Sequence, residues 1–273
     1  MIPKELLQRL IEFKNSNESM VCLTGAGISA ESGIPTFRGK EGYWVIGSKN
    51  YQPEEMGTFS MFMQKPLEVW KWFLYRKTVC SPAKPNEGHN AIVALEKHFQ
   101  DRFSLITQNV DGLHFKAGSS FERTFPIHGT LERVRCVDMC TENLYPFPDI
   151  PKQRNEDITE EEIQKLKCPA CGKFLRPHVL WFDEFYNDEF YYFTRSVQLT
   201  DVCKLFIIIG TTGKTTLPFQ LTQIAIRRKA TVIMIDIEEN SFSQLVSESE
   251  NGFFLQGSSS KVLPEILKVL IPS

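Results

Sequence analysis

The chain has no apolar run near the roughly 20 residues that cross a bilayer; its longest, at 205–209 and 231–237, are the size of strands. It also lacks a signal-like apolar stretch at its start, so the expectation is a cytoplasmic protein. Excess charge of one sign is missing as well: 31 basic residues stand against 33 acidic ones, a formal net charge of −2. That balance gives no reason to expect general nucleic-acid or membrane binding. Nor is there an even set of dispersed cysteines of the kind that builds a disulfide framework. The seven cysteines are an odd number, and four of them form two close pairs, which suits a metal site in a reducing compartment. What is present, 42% hydrophobic and 23% charged residues over 273 positions, is the composition of a globular protein with room for one main domain and a smaller appendage.

Leu6, Leu7, Leu10 and Ile11 recur at helical spacing, and residues 20–23 read as a short buried strand that runs into a glycine turn. The apolar runs 104–107, 205–209 and 231–237 each follow a helix-like segment, at 90–98, 190–199 and 219–228. Such alternation predicts an α/β fold, a Rossmann-like parallel sheet with helices on both faces. Two stretches break the rhythm: 36–85, rich in aromatic residues, and 133–177, which holds the paired cysteines and an acidic run at 155–162. They are expected to form a smaller inserted zinc-binding and helical domain, with 1–35, 86–132 and 178–273 making the nucleotide-binding domain. The acidic run reads as a solvated helix or loop.

Gly25-Ala26-Gly27-Ile28-Ser29-Ala30 matches the G-x-G-x-x-G/A fingerprint directly after a strand, where glycines let the backbone approach a pyrophosphate. A ligand-free tight turn is the plain alternative. The acidic residue that ordinary dinucleotide sites carry about 20 residues later, at the end of a second strand, is absent, because Glu41 lies in a loop. This is therefore not a conventional dehydrogenase site. The following Gly33-Ile34-Pro35-Thr36-Phe37-Arg38-Gly39 is a proline-stiffened segment with an aromatic and an arginine, suited to covering a charged planar ligand.

Gln108, Asn109 and Asp111 come just past the 104–107 strand, at the sheet edge where open α/β folds place ligands. His128 precedes a glycine after the short run 125–127, and an imidazole there could serve as a general base near neutral pH; a surface or core histidine is the alternative. Gly213-Lys214-Thr215 is not a P-loop, because that motif needs a glycine where this chain has Ile208. Cys136-x₃-Cys140 and Cys168-x₂-Cys171 supply the four thiolates of a tetrahedral site, so one structural Zn²⁺ is expected, with a hydrolytic zinc as the minor alternative. Cys22, Cys80 and Cys203 read as buried thiols.

These motifs together resemble the sirtuin family of NAD-dependent protein lysine deacylases. Residues 25–39 are similar to its first signature, Thr107-Gln108-Asn109-Val110-Asp111-Gly112-Leu113-His114 to its second, His128-Gly129 to its catalytic pair, and Pro85-Asn86-Glu87-Gly88-His89 to the helix start between them. The resemblance implies NAD as cosubstrate and an acyl-lysine protein or peptide as partner. Nicotinamide, free lysine and O-acyl-ADP-ribose would be the products, with His128, Asn109 and Asp111 as catalytic residues. His128 would activate a ribose hydroxyl. Cofactor contacts would come from Gly25, Ala26, Gly27, Ala30, Glu31, Thr36, Phe37, Arg38, Trp44, Gln108, Asn109, Val110 and Asp111, and on the far side from Gly210, Thr211, Thr212, Asp236, Ile237, Glu238 and Ser259.

Asp236 stands where the family usually has asparagine; its carboxylate would accept from ribose hydroxyls and repel a 2′-phosphate. The segment 176–184 resembles the strand that pairs with substrate, giving Val179, Leu180, Phe182 and Asp183 as peptide contacts, with Asp183 in place of a glycine. The loop 36–44 looks most like the branch acting on acidic acyl groups. Arg76 could pair with a succinyl or malonyl carboxylate, yet Phe73 lacks the hydroxyl that branch carries and Met63 is bulky, so acetyl and acidic acyl groups both stay open. For Phe73 and Arg76 the alternative is a core aromatic and a solvated charge. Mono-ADP-ribosyl transfer, NAD hydrolysis and a non-catalytic sensor are the competing functions, and a monomer is expected.

Overall fold

The computed structural model of the chain describes residues 2–35 and 53–271. In chain order the elements before the second strand are α1 (Lys4–Lys14), β1 (Met20–Thr24), α2 (Gly27–Ala30), α3 (Pro53–Met56), α4 (Phe59–Gln64), α5 (Pro66–Cys80) and α6 (Glu87–Phe99). Then come β2 (Phe103–Thr107), α7 (Leu113–Ala117), β3 (Thr124–Pro126), β4 (Gly129–Cys136), β5 (Tyr145–Pro146), α8 (Glu160–Lys165) and β6 (Leu175–Val179). The C-terminal part holds α9 (Asp188–Tyr191), α10 (Phe193–Val202), β7 (Leu205–Ile209), α11 (Thr216–Arg227), β8 (Thr231–Asp236), α12 (Ser241–Ser247), β9 (Gly252–Gln256) and α13 (Ser259–Leu270).

Six strands form one sheet in the order β3-β2-β1-β7-β8-β9, every neighbouring pair parallel. This is the doubly wound order, with its reversal point between β1 and β7. β1, β2 and β7 are buried at every position, as continuous apolar runs are when both faces of a parallel sheet are covered. The pleat splits the core in two. Met20, Cys22, Leu205 and Ile207 pack with Leu6 and Leu10 of α1, Ile92 and Leu95 of α6 and Leu263 and Ile266 of α13. Val21, Leu23, Phe206 and Ile208 pack on the other face with Leu217 and Leu221 of α11 and Phe242 and Val246 of α12.

Helix boundaries differ from the periodicity where local chemistry overrides it. The segment 190–199 divides into α9 and α10 at Tyr192, which is left-handed at φ 52°. Asp188 holds the second piece by accepting from the Thr194 amide at 2.6 Å and hydroxyl at 2.7 Å. The last helix begins at Ser259 and carries Pro264 inside it, although proline removes an intrahelical hydrogen bond. Its apolar stripe on the core outweighs that loss. The edge strand β9 and the helix α12 before it carry too weak a pattern to be read from the sequence.

The second sheet, β5-β4-β6, is antiparallel. It packs with α4 and α5 in a cluster of Phe62, Trp70, Trp72, Phe73, Leu131, Val134, Leu175 and Trp181. Trp70 is fully buried and its indole N–H donates to the Leu175 carbonyl at 2.9 Å, which satisfies the one polar atom the ring brings inside. β4 starts at Gly129, ahead of the break expected between residues 132 and 133, so the small sheet reaches back to the main one.

His89, His114 and His178 are buried at 0%, 2% and 5% exposure. Burial lowers His89 and His178 to about 4, the latter with help from Arg135 and Arg176, and holds His114 well below its ordinary value. The unfolded rings bind protons near 6.5, so this stability is complete above about pH 6.5 and lost as pH falls toward 4. Urea midpoints measured with zinc present should fall across that window, with uptake of more than one proton on unfolding. A flat midpoint would contradict the buried neutral rings.

Candidate functional site

β1 and β7 diverge at a point where their turns touch. The Gly25 amide donates to the Ile209 carbonyl and the Gly27 amide to the Gly210 carbonyl, both at 2.9 Å. A Cβ on Gly27 would lie 2.6 Å from Gly210 Cα, and Gly210 itself sits at φ 60°. Only glycine allows this approach. Asn86 braces the turn from α6: its side-chain amide donates to the Ile28 carbonyl at 2.8 Å and the Ser32 hydroxyl at 2.9 Å, while its own oxygen caps the helix.

Over this edge opens a cavity of about 1030 Å³. Of the expected cofactor residues, Gly25, Ala26, Gly27, Ala30, Glu31, Gln108, Asn109, Val110, Gly210, Thr211, Thr212, Asp236, Ile237, Glu238 and Ser259 line it, as does His128. Asp111 lies in a small adjoining pocket with Ala26, Ser29, Asn109 and Cys80. Thr36, Phe37, Arg38 and Trp44 fall outside the described residues.

Ser29, absent from the expected site, organises that small pocket. Its hydroxyl donates to Asp111 Oδ2 at 2.7 Å and accepts from Asn109 Nδ2 at 3.2 Å. The Leu113 amide donates to Asp111 Oδ1 at 2.8 Å. Burial still raises Asp111 above its ordinary value, with Leu113 and Ser29 opposing. The Asn109 amide donates to Thr107 Oγ1 at 3.0 Å, and Thr24 donates to the same oxygen at 2.8 Å, so the ends of β1 and β2 aim the pair together.

His128 ends a short run and is followed by Gly129 at φ 77°, where a Cβ would meet the His178 carbonyl oxygen at 2.1 Å. Glycine is thus required for β4 to leave the main sheet and join β6. His128 Nδ1 lies 3.1 Å from the Gln108 carbonyl oxygen. A carbonyl can only accept, which places the proton on Nδ1 and the lone pair on Nε2. Nε2 meets the Tyr186 hydroxyl at 2.8 Å. Burial lowers the ring to about 4, partly opposed by the Gln108 carbonyl, so it is neutral at physiological pH and able to accept a proton.

Gln108, which lines the cavity, has a second part in the site. Its backbone orients His128, and its side chain is engaged, donating to Thr211 Oγ1 at 3.0 Å and accepting from Thr215 at 2.9 Å. Lys214, Thr215 and Tyr186 also line the cavity; their residue types carry no spacing by which a sequence would reveal them.

Phe73, Val179, Leu180 and Phe182 line the side of the cavity away from the sheet, with Trp72 and Trp181. Met63, Arg76 and Asp183 are not among its lining residues. Met63 is 53% exposed on α4, turned outward by the helix. Arg76 is 2% exposed, buried on α5 and not a solvated charge. Asp183 accepts from the Phe59 and Ser60 amides at 2.7 and 3.0 Å, capping α4. Its carboxylate fastens the 181–183 segment to that helix and does not stand free beside a peptide.

Away from the cavity the cysteines gather as the spacing implied. The sulfurs of Cys136, Cys140, Cys168 and Cys171 lie within 4.8 Å of one another, with Cys136–Cys171 at 3.5 Å and Cys140–Cys168 at 3.6 Å. A tetrahedral zinc with bonds of about 2.3 Å spaces its sulfurs by about 3.8 Å, so the set fits that ion. Purified protein should hold one zinc per chain, and chelation or Cys168→Ser should release it and lower the melting temperature. An unchanged melting temperature after metal removal would show that the thiols do not hold a structural ion.

The model of the Sir2 family matches residues 25–216. An NAD-dependent protein deacylase of Leptospira interrogans is 38% identical over 264 residues, 96% of this chain and 97% of its own length. One from Aquifex aeolicus is 39% identical over 233 residues, covering 84% and 87%. Among solved structures, a mutant Sir2 homologue in complex with ADP-ribose aligns with a TM-score of 0.80 at 32% identity over 98% of this chain and 96% of that one. A Sir2 homologue–NAD complex aligns at 0.78, also 32% identical, over 99% and 94%. With a family match that spans both signatures and His128, and relatives alike over nearly their whole length, the chain belongs to the Sir2 family.

Proposed function

We propose that this chain is an NAD-dependent protein lysine deacylase that transfers the acyl group of a modified lysine to ADP-ribose. The observation that carries the reading is His128, held neutral by burial with its Nδ1 proton on the Gln108 carbonyl, lining a cavity between a dinucleotide-type sheet edge and an apolar wall. The near full-length relatives named as NAD-dependent protein deacylases support it.

NAD is the cosubstrate of this reading. Its pyrophosphate would lie against the glycine turn, where the main chain approaches without side-chain interference. Asp236 at the end of β8 would accept from ribose hydroxyls. Burial raises its carboxyl, opposed by the Glu238 and Ile237 amides. Its charge and that of Glu238 disfavour a 2′-phosphate, so NAD is chosen over NADP. Asn109 and Asp111, locked by Ser29, would orient the ribose and carboxamide. His128 would take the proton of a ribose hydroxyl, making it a nucleophile toward the acyl carbon. The Cys136, Cys140, Cys168 and Cys171 cluster would hold zinc as a structural ion, supporting the module that carries β4 and β6.

Among the described residues, Trp72, Phe73, Val110, Trp181 and Phe182 make the apolar part of the wall facing the sheet, Glu184 is its charged member, and Arg76 lies outside it. This favours uncharged acyl groups over succinyl and malonyl, whose carboxylate would lack a partner there. A panel of acetyl, longer uncharged, succinyl and malonyl peptides with NAD should show the uncharged ones turned over faster. Arg76→Met should alter all of them alike, as a buried structural arginine would. Selective loss of desuccinylation would reverse the assignment.

His128→Ala should lower deacylation by about 10²-fold or more while NAD affinity changes by no more than a few-fold. Wild-type turnover in that variant would remove His128 from the mechanism. Free ADP-ribose in place of the acylated product would point to NAD hydrolysis.

A further inference from the structure

Tyr186 belongs to none of the motifs that made the site recognisable. It lies in the irregular segment between β6 and α9, flanked by Phe185 and Asn187. Its ring is partly buried against the core cluster that includes Phe206, Leu217 and Leu221. Its hydroxyl lies 2.8 Å from His128 Nε2, with the two rings 5.8 Å apart between centroids and tilted by 34°. Since Nδ1 gives its proton to the Gln108 carbonyl, Nε2 has only a lone pair to offer, and the phenol must be the donor. An imidazole nitrogen has one in-plane lone pair. The group that occupies it therefore stands between the base and any substrate hydroxyl in the cavity.

We propose that Tyr186 is a catalytic residue, a proton relay through which His128 deprotonates the attacking ribose hydroxyl. The inference rests on the deacylase reading above. As the substrate O–H bond breaks, its proton bonds to Tyr186 Oη, and the proton originally on Oη bonds to His128 Nε2. The electron pair left on the substrate oxygen forms the bond to the acyl carbon of the imidate that joins substrate and ADP-ribose, while the π pair of that carbon's double bond to the lysine nitrogen moves onto the nitrogen. Tyr186 ends as it began, and His128 carries the one proton gained, which it returns as the lysine nitrogen leaves.

Two features favour a relay over a side chain that swings aside. The ring is partly buried and packs against the core cluster on one face of the main sheet, beside Leu217 and Leu221 of α11. The imidazole is fixed as well: Gln108 accepts from its Nδ1 through the main-chain carbonyl, and Gln108 is itself held by Thr215, which donates to its Oε1 at 2.9 Å. Burial also raises the phenol above its ordinary value, keeping its proton in place at physiological pH.

Tyr186→Phe removes one oxygen and keeps the ring, with thermal melting as the check on folding. In the ligand-free protein, loss of the donor to Nε2 should raise the His128 titration midpoint and shift its Nε2 resonance in ¹⁵N NMR. Deacylation should fall by about a hundredfold, with KM for NAD and peptide within about twofold and peptide-dependent nicotinamide release retained. Replacement of Tyr186 by 3-fluorotyrosine should keep activity within several-fold of wild type, and a proton inventory in D₂O mixtures should curve for wild type and become linear for Tyr186→Phe. An unmoved His128 titration, or turnover within about threefold of wild type in Tyr186→Phe, would overturn the relay. Equal impairment by phenylalanine and fluorotyrosine would also overturn it, since the ring's placement and not its proton would then matter. If wild-type protein itself shows no peptide-dependent nicotinamide release, the deacylase reading fails, while the NMR titration still reports on the hydrogen bond by itself.

Discussion

The two turns that meet at the reversal point of the main sheet are the constraint on which the rest of the molecule depends. Gly25 and Gly27 hydrogen-bond to the carbonyls of Ile209 and Gly210, and their Cα atoms approach so closely that no side chain fits between. This contact sets the floor of the cavity with main chain, leaving amides and space where a charged ligand can approach. It also accounts for the missing acidic residue on the second strand. A carboxylate at a strand end is supplied instead by Asp236, which closes β8 on the other side of the reversal point and lines the cavity.

The smaller module makes the site two-sided. β4 departs from the main sheet at Gly129, immediately after His128, and the Leu180 amide donates to the His128 carbonyl at 3.0 Å as β6 returns. The imidazole is thus held at the junction of both sheets. The thiol cluster lies at the far ends of the same two strands, where Cys136 closes β4 and Cys168 and Cys171 precede β6. A metal there acts on the site through strand placement. The aromatic cluster of Trp70, Trp72, Phe73 and Trp181 fills the space between that sheet and α5, and its last three members line the cavity as an apolar wall. The polar sheet edge that carries His128 and this apolar surface consequently face each other across the cavity.

Polar residues at the floor are linked in chains that leave few orientations free. Thr24, Thr107 and Asn109 form one, Ser29, Asn109 and Asp111 another, and Tyr186, His128, Gln108 and Thr215 a third. Each buried donor or acceptor that finds such a partner avoids a desolvation cost of about 1–3 kcal/mol. The same satisfaction fixes tautomers, most clearly at His128. Pre-set geometry of this kind is what electrostatic and acid–base catalysis requires.

The sequence by itself determined the parallel sheet, because buried strands of Val, Ile and Leu alternate with amphipathic helices. It also determined the glycine turn, the four thiols and the positions of Asn109, Asp111 and His128, since these depend on residue type at fixed local spacing. What only the tertiary structure decided were relations between distant segments. Ser29 joins Asn109 to Asp111, Asp183 is spent on capping α4, Arg76 is buried outside the cavity wall, Met63 faces solvent, and Tyr186 reaches His128. Asp183 and Arg76 have the chemistry of substrate contacts in the sequence, but a carboxylate offered two free helix amides binds them, and an arginine on a packed helix face is enclosed by its neighbours. Tyr186 lies 58 positions from His128, and no periodicity encodes a hydrogen bond across that separation. It forms because β4 and β6 pair and α11 begins beside them.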